Sequence, residues 1–225
     1  MCGRFAFYSP HDAVRDVFGV DFPAPIEPRH NIAPSQFVVA LRAGGKDRLE
    51  PALLKWGLVP SWAKDPGIGN RLINARAETA HEKPSFRAAF RRRRCVVLAD
   101  GFYEWRREGD RKTPYFIAGR KGQPLALAGL WERWQGGDGS GLETCTIITT
   151  AANRIMRALH DRMPVILSSD SAARWCGQTG DDRAQARAIL ASNDNDTLIY
   201  WPVSTLVNNP RNDGPQLIAA TNQPE

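Results

Sequence analysis

The chain reads as an α+β protein: a mainly antiparallel β-sheet core with short flanking helices, in a single domain over residues 1–225. Three observations predict this. Short apolar runs rich in β-branched and aromatic residues recur through most of the sequence. No regular helix separates successive runs, as a doubly wound sheet would require. Gly and Pro punctuate the runs instead of gathering into a linker, and no repeat or low-complexity tract divides the chain. At 225 residues, 42% of them hydrophobic, there is material for one sizeable core.

From the amino terminus, Ser9-Pro10-His11-Asp12 has the form of a helix start, with Ser9 as cap, Pro10 in the first turn and Asp12 at the capping-box position. Ala13, Val14, Val17 and Phe18 follow at helical spacing, and Gly19 ends the element. The strand candidates are QFVVALR, ALLKWGL, RCVVLAD, GFYEWRR, PYFIAG, PLALAGLWERW, TCTIITT and MPVILS. Turns at Gly122-Gln123-Pro124 and across Gly137 to Gly141 part several of them. Further short helices are predicted near Glu78 to Glu82, Phe86 to Arg92, Asn153 to His160, Ser171 to Cys176 and Arg183 to Ala191.

Thirty Lys and Arg against 24 Asp and Glu leave a formal charge of +6. That surplus suits a polyanionic partner if it is gathered on one face, and a merely scattered basic surface if it is not. The four cysteines, Cys2, Cys95, Cys145 and Cys176, form no C-x-x-C pair. Zinc binding and a disulfide framework are therefore both poorly supported. The start MCGRFAFYSP lacks the apolar stretch of a secretory signal, and no run approaches the ~20 apolar residues of a membrane span. A reducing cytoplasmic location without membrane association is the expectation, with Cys2 kept as a thiol. Met1 is commonly trimmed before a small second residue. Cys2 would then carry a free α-amine and a thiol on one residue.

Several stretches are more polar than a structural role needs. In INARAET, Asn74 and Arg76 alternate with Ile73 and Ala75, so a strand there presents an amide and a guanidinium on one face. The pair suits gripping a phosphate or orienting a carbonyl oxygen; a solvated edge strand fits the pattern equally. In ADGFYEW, Glu104 stands between Tyr103 and Trp105. Aromatic surroundings would desolvate its carboxylate and raise its pKa, whereas simple exposure would leave it unchanged. LHDRMPVIL places His160 and Arg162 where a helix end meets an apolar strand, a position suited to proton exchange near neutrality or to a structural histidine.

Aromatics interleave with cations at Trp56, Trp62 and Lys64, and again at Phe86, Arg87, Phe90 and Arg91 to Arg94. Bases of a single strand stack on aromatic faces while Arg and Lys meet phosphates. The other reading is a tryptophan-rich core with a charged rim. Either way Trp56 belongs to the core, and Trp62, in a loop punctuated by Pro and Gly, is the candidate for exposure.

In order and spacing, MCGRF, RHNIAPSQ, WGLVPSW, INARAET, RCVVLADGFYEW, AGLWE, TTAAN, LHDRMPVIL and VNNPRNDGP together resemble the SOS response-associated peptidase (SRAP) family, over nearly the whole length. The resemblance implies covalent capture of abasic sites in single-stranded DNA, with Cys2 as the cross-linking residue, Asn74 as the active-site amide, Glu104 as the catalytic carboxylate and His160 as the catalytic histidine. By the same likeness Arg4, Arg76 and Arg162 meet DNA phosphates, and Pro34, Trp62 and Thr149 belong to a DNA-facing wall. The sequence gives no reason to invoke a metal or a cofactor, and the expectation is a monomer acting in the cytoplasm, nucleoid-associated if the source is bacterial. His30, Ser35 and Leu98 depart from the family pattern, where Tyr, Thr and Pro are usual; none removes a reactive group. Two other functions account for part of the pattern. One is a cysteine peptidase, acting on itself or on others, with Cys2 as nucleophile and His160 as base. The other is a non-covalent single-strand binding module.

Overall fold

The computed structural model describes residues 2–45, 48–177, 183–191 and 197–221. Met1, whose removal is expected above, lies outside them. In chain order the described elements are β1 (Phe5–Phe7), α1 (His11–Phe18), β2 (Arg29–Ile32), β3 (Phe37–Ala43), β4 (Leu49–Trp56), β5 (Asn74–Arg76), α2 (Arg87–Arg92), β6 (Arg94–Ala99), β7 (Gly101–Glu108), β8 (Arg111–Gly119) and β9 (Leu125–Gln135). They continue with β10 (Gly141–Ala151), β11 (Arg162–Pro164), β12 (Ile166–Leu167), α3 (Ser169–Gly177), α4 (Arg183–Ala191) and β13 (Leu198–Pro202). The α+β class holds.

The larger sheet runs β11-β10-β4-β3-β6-β9-β12. β9 also pairs back onto β10, from Gly141↔Gln135 to Ile147↔Gly129, so β10, β4, β3, β6 and β9 close into a ring of strands. Every residue of β6 is buried. The unbroken apolar run Cys95-Val96-Val97-Leu98-Ala99 reflects a strand covered on both faces. One cover is α3, whose Trp175 indole N–H donates to the carbonyls of Cys95 (3.0 Å) and Gly129 (3.1 Å). Most pairings are antiparallel, but β10 runs parallel to β4 and to β5.

The smaller sheet, β13-β8-β7-β1-β2, is antiparallel throughout. Ala6, Tyr103, Phe116, Ala118, Val203 and Val207 form its own apolar cluster. Gly101 in β7 permits this packing, since a Cβ there would lie 2.3 Å from Phe116 Cζ and 2.5 Å from the Ile117 carbonyl oxygen. Gly101→Ala is expected to cost on the order of 1–3 kcal/mol, the usual penalty for overpacking. Urea denaturation reads this as a lower midpoint; an unmoved midpoint would contradict so close an approach.

Some local expectations change. Ser9 does not cap α1: its hydroxyl hydrogen-bonds to the Asp100 carboxylate, which also accepts from the Ser9 N–H (2.7 Å), and Pro10 stands at the cap position with no side-chain bond. Gly19 does end the helix, left-handed at φ 66°, with its N–H on the Arg15 carbonyl (2.8 Å). Asn153 to His160 yields only a 3₁₀ turn at Met156–Ala158, because the chain must straighten into β11 directly afterwards. Glu78 to Glu82 forms turns rather than a helix, with Pro84 close behind. β1, β2 and β13 are strands that the sequence pattern did not reveal.

Candidate active site

β1 delivers the amino-terminal residues. It pairs antiparallel with β7 through Phe5↔Phe102 and Ala6↔Gly101, and the Tyr103 N–H continues the ladder onto the Arg4 carbonyl at 2.9 Å. Each step back along β1 is a step forward along β7, which sets Gly3 level with Glu104 and brings Cys2 near enough for the Glu104 charge to act on its thiol. Cys2 is fully buried. The Asn74 side-chain N–H₂ donates to its carbonyl oxygen at 2.8 Å. Asn74 owes its place to β5, which lies parallel to β10 with Asn74 opposite Ile147. Its Oδ1 is buried with no hydrogen-bond partner among the described residues, an acceptor open to a donor entering the site.

Glu104 is 3% exposed. Burial raises its carboxyl above the usual range, and the charge of His160 acts against that rise. The neighbouring rings are not the cause. Successive strand residues face opposite ways, and Tyr103 and Trp105 turn toward the small-sheet cluster, away from Glu104. Burial, with the Glu104 charge next in size, pushes the Cys2 thiol well up, so it rests protonated.

His160 sits in the turn between the 3₁₀ segment and β11. Its Nδ1 lies 2.9 Å from the Arg162 N–H and 2.7 Å from Asp161 Oδ1. One nitrogen cannot serve both at once. With Nδ1 bare the ring accepts from the Arg162 N–H, whereas with a proton on Nδ1, in the neutral tautomer or the imidazolium, it donates to Asp161. Nδ1 thus has a partner in place in either role.

Glu104 and His160 meet at a cavity of about 920 Å³. Its mouth carries Arg106, Arg107, Lys112 and Arg157, none of which was singled out from sequence. The signal was present only as basic residues on two segments some fifty residues apart; topology brings them together.

The structure gathers Cys2, Asn74, Glu104 and His160, and treats the expected DNA-facing residues unequally. The Arg4 guanidinium donates through Nη1 to Asn31 Oδ1 (2.7 Å) and the Val207 carbonyl (2.8 Å). Arg162 forks onto both Glu78 oxygens at 2.7 and 2.9 Å and reaches the Thr149 carbonyl at 2.6 Å. The hydrogen bond from Arg162 holds the Glu78 carboxyl below its ordinary value. Thr149 is fully buried, so its place is behind Arg162 rather than on the surface. Arg76 is exposed, and Pro34 is half-buried beside Ser35, whose φ is 69°. Trp62 is 60% exposed over a separate groove of about 390 Å³ that includes Lys64 and Arg71, while Trp56 is 1% exposed and belongs to the core.

The second basic and aromatic stretch needs correction as a stacking surface. Phe86 and Phe90 are buried, Arg94 stacks over Phe90 and Trp175, and Arg93 pairs with Glu132 at 2.7 Å. It is core with a charged rim. All four cysteines are free and buried. No helix among the described residues is long and apolar enough to cross a membrane.

A family model described as SOS response associated peptidase (SRAP) matches residues 1–210. The chain belongs to the SRAP family. Among SRAP relatives, the abasic site processing protein YoqW of Bacillus subtilis is 43% identical over 97% of this chain and 99% of its own length. The abasic site processing protein YedK of Escherichia coli is 34% identical over 97% and 99%. The SRAP fold of this chain also matches a solved protein structure from Bacteroides thetaiotaomicron, with a TM-score of 0.85 and 25% identity over 98% of this chain and all of that one.

Proposed function

We propose that this SRAP protein processes abasic sites in DNA by capturing them covalently in single strands through Cys2 once Met1 has been removed. The observation that carries the reading is the seating of Cys2: fully buried, its carbonyl held by Asn74 at 2.8 Å, and close to a Glu104 whose carboxyl is raised. Kinship with proteins named for abasic site processing supplies the substrate class.

The chemistry follows from two nucleophiles on one residue. The ring-opened abasic sugar presents an aldehyde, and an α-amine of pKa about 8 is partly unprotonated near neutrality. The amine adds to the aldehyde carbon, and loss of water, its hydroxyl protonated by Glu104, leaves a protonated imine. Sulfur then bonds to the same carbon, the thiol proton passes to the Glu104 carboxylate, and a five-membered thiazolidine closes. Overall one water leaves and nothing is oxidised or reduced. Because burial keeps the thiol protonated, the amine acts first and the sulfur second. Glu104, holding its proton to higher pH than an exposed carboxyl, is suited to protonating the departing hydroxyl and to receiving the thiol proton. His160, whose Nδ1 has a partner whether it accepts or donates, serves ring opening of the sugar. The unpartnered Asn74 Oδ1 accepts from the incoming or developing donor.

A peptidase mechanism would ask for a thiol with a lowered pKa, already ionised at rest. The Cys2 thiol is shifted upward instead.

Intact mass before and after incubation with an abasic oligonucleotide tests the reading. The expected result is a protein lacking Met1 that gains the oligonucleotide mass less one water. A trimmed protein that remains unmodified refutes it.

A further inference from the structure

β1 runs out beside Glu104, and no strand among the described residues pairs with the outer edge of β7 beyond that point. The open edge borders the cavity, so residues from both faces of β7 line it, joined by Lys112 of β8 and Arg157 of the 3₁₀ turn. Within the hairpin, Arg107 stands directly opposite Lys112. Like charges facing each other across a β-ladder, with Cβ atoms about 5 Å apart, repel. Neither is relieved by an ion pair among the described residues; the nearby Glu108 is committed to Arg106 at 2.9 Å. Arg157 likewise lacks a carboxylate among the described residues, donating instead from Nε to the Ala152 carbonyl at 3.2 Å. Of the two carboxylates lining the cavity, Glu104 is buried and Asp161 lies against His160. The mouth is therefore cationic, with an uncompensated repulsion built into it.

We propose that Arg107 and Lys112, with Arg157 across the opening, form a phosphate-binding rim. It holds the backbone of single-stranded DNA on the side of the abasic nucleotide that passes Glu104 and His160. A phosphate between Arg107 and Lys112 turns their repulsion into two attractions. The strand would then continue along the open edge of β7. This assignment rests on the reading of the site as one for abasic DNA, and it extends the contact surface to residues that reading does not use.

The test is non-covalent binding of a lesion-free single strand of about 15 nucleotides, followed by fluorescence anisotropy across a salt series. Arg107→Gln/Lys112→Gln is compared with Arg157→Gln and the unsubstituted protein. Each lost phosphate contact lowers the slope of log affinity against log salt by about 0.7. The double variant is expected to lose about 1.4 and to bind roughly tenfold or more weakly at 0.1 M salt, the single variant about half that slope. Slopes and affinities equal to those of the unsubstituted protein would overturn the proposal. The double variant should also melt no lower than the unsubstituted protein, since its repulsion is gone. A lower melting temperature would defeat the like-charge argument and the proposal with it. Because the probe carries no aldehyde, this outcome is independent of whether the protein cross-links: failure of the adduct experiment and failure of the rim are separately visible.

Discussion

Cys2→Ala is expected to abolish the stable adduct with abasic single-stranded DNA, a loss on the order of a hundredfold or more, while non-covalent binding to the same strand persists. The reason is specific to the two-nucleophile mechanism. Once trimmed, the variant still begins with an α-amine, so an imine can form, but nothing closes the ring and the imine hydrolyses back. The measurement is a denaturing gel run with and without borohydride. Without reductant the variant shows no shifted band. With it, the reduced imine survives and the band returns. Insertion of a bulky residue between Met1 and Cys2, which blocks trimming and ties the Cys2 nitrogen into an amide, should remove the stable adduct seen without reductant. A heat-stable band from Cys2→Ala in the absence of reductant would place the cross-link on another residue.

Glu104→Gln is expected to slow adduct formation by about 10²- to 10⁴-fold, the usual span for loss of a positioned acid or base. It should also stabilise the fold in a pH-dependent way. Burial raises the folded-state pKa of Glu104 above the ordinary carboxyl value of 4.5. Between those two values the folded protein binds more protons than the unfolded chain, so stability falls as pH rises through the window and levels off above it. Glutamine removes this cost. The variant should therefore gain on the unsubstituted protein as pH climbs beyond 4.5, and match it in acid. Thermal melts from about pH 4 to 8 check the sign. A variant that is slower and also less stable at the alkaline end of that range would mean that Glu104 is a structural anchor.

Much of this was legible in the residues. RCVVLAD and TCTIITT carry β-branched apolar runs and PLALAGLWERW a run of Leu, Ala and Trp, all suited to strands with largely buried faces, and they became β6, β10 and β9. β2 escaped notice because RHNI is largely polar, and β1 because three residues carry no period. Ser9 misled: a serine before Pro at a helix start has the form of a cap, but a buried Asp100 far along the chain outcompeted the local bond. For Glu104 the sequence left a raised carboxyl and simple exposure both open; the carboxyl is raised, but by tertiary burial, since its sequence neighbours point away. Cys2, Asn74 and His160 were named through the order of their motifs. Their meeting depends on pairings such as β5 with β10 that no local pattern encodes. The basic mouth was illegible for the same reason.

β10 changes partners along its length, from β9 and β4 to β5 and then β11. Ile147 fixes Asn74, and Ala151 fixes Arg162 immediately after His160. The gap between amide and imidazole is thus measured out by one stretch of a single strand. An inserted residue there would flip every side chain beyond it to the opposite face. The hairpin loop across 136–140, by contrast, can lengthen at little entropic cost. Indels in this lineage should accumulate at that loop and be purged from the ruler beside it.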